Sequence, residues 1–150
     1  MIRNVEKMES IRQFFYEFMM TYRLFLNELN GLLEKYQLHR SQWAVLDIIH
    51  HSGSVTLVEI SKHQRVEKPT ITRTVSRLEE LGLVEHIPGK DKREKRMVLT
   101  EEGLQLFNEI RLDLDNLERQ HLDGVSSEEI LAVTRTLGMV RENINKGKKG

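Results

Sequence analysis

Residues Arg65–Val84 read R-V-E-K-P-T-I-T-R-T-V-S-R-L-E-E-L-G-L-V, and Asp91–Gly103 read D-K-R-E-K-R-M-V-L-T-E-E-G. The first run predicts a helix from about Lys68 to Leu81, because Pro69 is tolerated in a first helical turn and Gly82 suits the left-handed position after a last one. At about 100° per residue, Ile71, Val75 and Leu78 cluster on one side of that helix, while Pro69, Arg73, Ser76 and Arg77 fall on the other. Leu83–Ile87 and Arg96–Leu99 are rich in branched residues and read as two strands, joined through Pro88-Gly89-Lys90-Asp91 and a highly charged tip. A helix with one charged face, followed by a short basic hairpin, is the pattern to be placed.

Upstream, Thr56 and Glu59 form a T-x-x-E capping box for a short helix with Leu57 and Ile60 turned inward, and Gln64–Lys68 is a tight turn. A helix from Ser41, its expected cap, carries Trp43, Ala44, Val45, Leu46, Ile48 and Ile49 and ends near His50-His51-Ser52-Gly53. From Ile11 to Leu32 the residues Ile11, Phe15, Phe18, Tyr22, Phe25, Leu29 and Leu32 recur at alternating steps of four and three, a heptad stripe that Phe14, Met19, Leu26 and Leu33 widen. Downstream, Thr100 caps a helix with Leu104, Phe107, Ile110, Leu114 and Leu117 on one face. Ser126 with Glu129 caps another with Ile130, Val133, Leu137, Val140 and Ile144. Lys146-Gly147-Lys148-Lys149-Gly150 is expected to be a disordered tail.

A capped short helix, a turn, a longer helix and a two-stranded wing form the arrangement by which a small domain presents one helix to a DNA groove. The expected fold class is therefore mainly α with a small β-hairpin wing: a winged helix-turn-helix flanked by N- and C-terminal dimerisation helices. Its 150 residues suit a single domain over 1–150, with 1–36 and 101–150 as dimerisation helices and 37–100 as the DNA-binding lobe.

Charge supports this placement through its distribution. The chain balances 23 basic against 23 acidic side chains, but residues 61–100 hold ten basic side chains (Lys62, Arg65, Lys68, Arg73, Arg77, Lys90, Lys92, Arg93, Lys95, Arg96) against six acidic ones. Positive charge gathered in one segment is what phosphate binding needs, and acidic flanks limit indiscriminate association. Arg73 and Arg77 offer guanidinium donors one turn apart, flanked by Thr70 and Thr72, for guanine edges or phosphates. Lys90, Lys92, Arg93, Lys95 and Arg96 crowd a hairpin too short for a core of its own, and such a thin basic element fits a narrow minor groove. Lys68, Pro69, Thr70, Thr72, Arg73, Ser76, Arg77, Lys90, Lys92, Arg93 and Lys95 are the candidate DNA-binding residues. The alternative is a solvated helix face, with Arg73 paired to Glu80 or Asp91 and Arg77 to Glu80 or an acid of the wing.

Other chemistries find little support. The absence of cysteine excludes a disulfide framework, a thiolate zinc site, a cysteine nucleophile and a thiol redox sensor. The six histidines (His39, His50, His51, His63, His86, His121) are scattered, without H-E-x-x-H, a nucleophile elbow or a glycine-rich phosphate loop, so neither an enzyme, a metal site nor a cofactor is expected. Met1–Lys7 lacks an apolar signal region, and Phe14–Leu33 is broken by Glu17, Arg23 and Glu28, which places the chain in the cytoplasm, away from membranes. A winged-helix adaptor that binds protein instead of DNA is the rival reading, favoured by zero net charge and by Glu79 and Glu80.

The two quoted runs resemble the recognition helix and wing of the MarR family of transcriptional regulators, with D-x-R and the downstream L-T-x-x-G at the family's spacing. The resemblance extends over the chain in element order. It implies a triangular homodimer in which the first and last two helices interleave, with Ile11, Phe15, Phe18, Tyr22, Leu137, Val140 and Ile144 as dimerisation residues. It implies that Arg93 enters the minor groove while Asp91 braces an arginine of the recognition helix, with Arg77 the candidate. Zinc-sensing relatives would carry H-x-x-x-H in the helix after the wing, where this chain has only His121 near its end. The link Pro88-Gly89-Lys90 is shorter than many members carry. The expected function is sequence-specific binding of double-stranded DNA as a ligand-responsive repressor on an inverted repeat. Effectors in the family are small anionic or aromatic molecules bound between dimer helices and DNA lobes, a region that here takes in Tyr36, His39, Trp43 and the first helix. Read from the residues alone, Trp43 is a core anchor.

Overall fold

The computed structural model describes residues 2–91 and 93–149. The elements run α1 (Ile2–Glu34), α2 (Arg40–Ser52), β1 (Val55–Thr56), α3 (Leu57–Gln64), α4 (Lys68–Glu80), β2 (Val84–Pro88), β3 (Lys95–Leu99), α5 (Glu101–His121) and α6 (Ser127–Lys149). The winged helix-turn-helix with flanking helices is the observed fold. Two compact units divide the chain, residues 1–114 and 115–150.

The first unit holds a single apolar core. Leu46, Ile49, Ile60, Leu78 and Ile110 are fully enclosed, and Trp43 stacks on Phe107 with ring centroids 5.0 Å apart, so the tryptophan is the core anchor its neighbours suggest. Leu29, Leu32 and Leu33 of α1 and Phe107, Ile110 and Leu114 of α5 belong to this core. The lobe thus draws its packing from beyond residues 37–100, because three short helices and a small sheet cannot enclose themselves. Leu104 stays 43% exposed and Leu117 half-buried, so the apolar face of α5 is covered only in part.

Helix ends follow their caps. In α3 the Thr56 Oγ1 accepts the Glu59 N–H at 3.1 Å, and the Glu59 carboxylate accepts the Thr56 N–H at 3.2 Å. Ser126 and Glu129 repeat the device for α6. Helix α2 departs from expectation: its cap is His39, not Ser41. The Gln42 side-chain oxygen reaches back to the His39 N–H at 2.8 Å and so starts the helix earlier, leaving Ser41 exposed inside the first turn. Helix α6 also corrects the sequence reading, since it continues to Lys149 where a disordered tail was expected. Lys146 and Lys148 lie where cations favour the negative end of the helix dipole.

The wing has three strands, not two, in the order β1-β3-β2. Strand β2 pairs antiparallel with β3 in the register Val84↔Leu99 to Pro88↔Lys95, and β1 adds Val55↔Met97 and Thr56↔Arg96 on the other side. Val55 and Thr56, the second of them already part of the capping box and both just after Gly53 at φ 79°, are too short a run to signal a strand. In the second unit, no side chain of α6 is buried among the described residues, and Leu131, Val133, Leu137, Met139 and Ile144 are exposed. Among the described residues no helix is long and apolar enough to cross a membrane.

Candidate nucleic-acid interface

Helix α4 is oriented by burial of Ile71, Val75 and Leu78, each at most 3% exposed. That leaves Lys68, Pro69, Thr72, Arg73, Ser76 and Arg77 on the open face, with Thr70 half-buried at its border. The Thr72 hydroxyl donates to the Lys68 carbonyl at 2.9 Å, which ties its proton to the helix and leaves the oxygen's lone pairs outward. Arg73 makes a long contact from Nη2 to Thr70 Oγ1, 3.4 Å. The Arg77 Nη1 donates to Glu80 Oε2 at 3.0 Å, with both side chains well exposed. This is the pairing of the alternative reading, and an exposed pair of this kind contributes only about 0–1 kcal/mol. Arg77 is therefore held loosely.

The recognition-helix end is stopped by Gly82 at φ 74°. The Gly82 N–H donates to the Glu79 carbonyl at 2.9 Å and the Leu83 N–H to the Leu78 carbonyl at 3.0 Å, a Schellman closure.

Three wing cations among the candidates, Lys90, Arg93 and Lys95, are exposed; Lys92 lies outside the described residues. A cleft of about 420 Å³ is lined by Lys68 from α4, Arg93 and Lys95 from the wing, Thr56 from β1 and Val58 from α3. The helix and the wing thus bring their cations to one surface. The short tip closes on itself through the Gly89 N–H donating to the Glu94 carbonyl at 2.8 Å and the Glu94 N–H donating to the Asp91 carbonyl at 2.9 Å. Asp91 Oδ1 faces the Arg93 N–H at 3.4 Å. The structure does not bring Asp91 to Arg77: the carboxylate braces the wing turn that carries Arg93, and the carboxylate on Arg77 is Glu80.

Arg96, one of the cations that crowd the hairpin in the sequence, is set apart from the others by its internal partners. Its Nε donates to Ser54 Oγ at 2.9 Å and its Nη2 to the Ser54 carbonyl at 2.9 Å, while Nη1 pairs with Glu94 at 3.0 Å and Nη2 with Glu59 at 3.5 Å. Arg96 is a structural tie between β3 and the turn before β1. A guanidinium opposite a threonine on a third strand was the missing signal, and it was invisible without that strand.

A cleft of about 820 Å³ is lined by Asn30 and Glu34 of α1, by Gln37, His39, Arg40 and Ser41 around the α1–α2 turn, and by Gln64 of α3. Tyr36, expected in such a region, instead donates its phenol proton to the Asp113 carboxylate of α5. Its pKa is pushed up to about 12, first by that hydrogen bond, then by burial, then by the charges of Asp113 and Glu109.

A family model described as the MarR family matches residues 36–94. The HTH-type transcriptional regulator YwoH of Bacillus subtilis, itself uncharacterised, is 40% identical over 107 residues, covering 71% of this chain and 78% of the relative. The structure of Staphylococcus aureus MarR in complex with salicylate and kanamycin superposes with a TM-score of 0.82 at 29% identity, over 90% of this chain and 92% of that one. A mutant of Escherichia coli MarR complexed with operator DNA gives a TM-score of 0.75 at 25% identity, over 87% of this chain and 95% of its own. Helix-turn-helix, wing, flanking helices and relatives agree, and the chain belongs to the MarR family of transcriptional regulators, which are not enzymes.

Proposed function

We propose that the chain is a homodimeric, sequence-specific binder of duplex DNA that represses from an inverted-repeat operator and responds to a small molecule. The observation that carries this is the cleft in which Lys68 of α4 meets Arg93 and Lys95 of the wing, while Thr72, Arg73, Ser76 and Arg77 stand open on the same helix as Lys68. At least one of Arg73 and Arg77 reads base edges in the major groove, and Arg93 enters the minor groove. Partner subunits are supplied by the exposed apolar residues Ile11, Phe15, Phe18 and Tyr22 of α1 and, separately, Leu137 and Ile144 of α6, with Val140 half-buried beside them. The cleft with His39 and Arg40 on its wall beside Leu38, Ala44 and Val66 is the candidate effector site, suited to a small organic anion with an apolar body. Salicylate, present in the S. aureus MarR complex, is the first probe.

Selection of duplexes from a random library, followed by binding at several salt concentrations, tests the reading. An enriched inverted repeat whose affinity falls steeply with salt supports it. Enrichment of no sequence, or an affinity indifferent to salt, overturns it in favour of a protein-binding adaptor. For the effector, salicylate should weaken binding to the selected duplex in the native protein and less so in Arg40→Ala; an equal response in both removes this cleft from the proposal.

A further inference from the structure

We infer that Thr100 is a positioning residue for DNA recognition: its one hydroxyl locks the C-terminal stop of the recognition helix to the first turn of α5, and so fixes the direction in which α4 points. The inference rests on the DNA-binding reading above. The hydroxyl donates to the Gly82 carbonyl at 2.6 Å and accepts the Gly103 N–H at 3.0 Å. The backbone N–H of Thr100 also donates to the Leu83 carbonyl at 3.1 Å. Gly82 and Leu83 are the two residues that close the Schellman motif of α4. A single residue therefore holds both carbonyls that emerge from the stop of the recognition helix, while capping the helix that follows the wing.

Gly103 gives the same joint its closeness. A Cβ built there would lie 2.0 Å from the Leu83 carbonyl oxygen and 2.9 Å from its carbon, both backbone atoms that cannot swing aside. The first turn of α5 thus rests directly on the α4–β2 turn with no side chain between. Direction matters at this point because base-edge hydrogen bonds depend on angle as well as distance. Contacts to phosphates tolerate small rotations, since they follow charge. Loosening the joint should therefore reduce discrimination between sequences more than it reduces affinity for DNA as such.

Capping and grip can be separated by substitution. Thr100→Ser keeps donor and acceptor. Thr100→Asp keeps an acceptor for the Gly103 N–H at a helix N-terminus, where a carboxylate is favoured, but has no proton for the Gly82 carbonyl. Thr100→Val keeps the shape and removes both bonds. The four proteins are compared on the duplex selected by the native protein and on its scrambled counterpart at two salt concentrations, with thermal melting as the control for folding. Thr100→Ser should match the native ratio of selected to scrambled affinity within about twofold, and Thr100→Asp, melting close to native, should lose roughly tenfold of that ratio with the salt slope kept. Comparing ratios removes the uniform effect of the added negative charge. Thr100→Val should lose the ratio and melt earlier. A Thr100→Asp protein that keeps the native ratio overturns the inference, as does a Thr100→Asp loss equal on both duplexes or a Thr100→Ser protein that loses as much. Failure of the native protein to prefer any duplex overturns the DNA-binding reading itself, a separate and recognisable result.

Discussion

Arg73 and Arg77 stand one turn apart on the open face of α4, yet their side chains begin from different states. Arg73 makes only a long contact to Thr70, whereas Arg77 must leave Glu80 before it can reach DNA. The exposed pair is weak, so the cost of leaving is small. Arg73→Ala should therefore lower affinity for the selected duplex by roughly 1–3 kcal/mol and relax preference at one base position, as read by competition binding. Lys95→Ala should weaken all duplexes alike and flatten the salt slope by about one unit. Asp91→Ala distinguishes two physical models: loss of a negative charge alone favours tighter binding, while loss of the acceptor for the Arg93 N–H loosens the wing turn and weakens it. Weaker binding is expected, and tighter binding would remove Asp91 from the machinery. Away from DNA, Tyr36 makes a pH-dependent contribution. Its folded pKa of about 12 stands above the ordinary 10.0, so between those values the folded protein keeps a proton that the unfolded chain releases. Stability from this residue is whole below pH 10 and is lost as pH rises toward 12. A denaturant midpoint that falls through this window, less steeply in Tyr36→Phe, checks the sign.

Among elements, the wing divides its cations into two kinds. Arg96 ties β3 to Ser54 and to two carboxylates, while Arg93 and Lys95 face solvent. Arg96→Met should destabilise the fold by about 1–3 kcal/mol, because the Ser54 carbonyl and hydroxyl oxygens each lose a donor and Glu59 and Glu94 lose a shared cation. Lys95→Ala should leave the melting temperature in place. A lower melting temperature in Lys95→Ala than in Arg96→Met would contradict this assignment. The contrast shows what a sequence can and cannot carry. Helix α4 was legible because Pro69, Gly82 and the Ile71/Val75/Leu78 face are local signals, and the caps at Thr56, Thr100 and Ser126 are local as well. Strand β1 was not legible, since Val55 and Thr56 become a strand only by pairing with Met97 and Arg96 some forty residues on. The role of Arg96 was hidden because it needs the missing strand, whereas the Arg77–Glu80 pair was legible as one of two pairings the sequence offered for that arginine. Start of α2 at His39 was missed because Gln42, not a hydroxyl at the cap, supplies the bond.

The molecule as a whole presents apolar surface that its own chain does not cover. On α1, Ile11, Phe15, Phe18 and Tyr22 are each 40–49% exposed at heptad spacing, and Phe18 stacks on Tyr22 with centroids 6.0 Å apart. On α6, described separately, Leu137 and Ile144 are 37% and 53% exposed. Patches of this extent are rare on soluble monomers. A second copy is the simplest cover, since a two-fold contact pairs each strip with itself or with its counterpart. The native protein should sediment as a dimer at micromolar concentration. Phe18→Glu puts a carboxylate into the apolar strip that a second copy would cover, and the cost of burying that charge should shift the protein toward monomer. The DNA readout then follows from counting charges. A dimer should protect an inverted repeat with half-sites roughly 10 base pairs apart, centre to centre. A monomer holds one half-site, neutralises about half as many phosphates and releases about half as many counterions, so its salt slope should fall to about half. Phe18 is none of the candidate DNA-binding residues, so replacing it removes no phosphate contact directly. A native protein that remains a folded monomer, or a Phe18→Glu monomer that retains the full salt slope on the inverted repeat, would show that each lobe reads DNA without its twin.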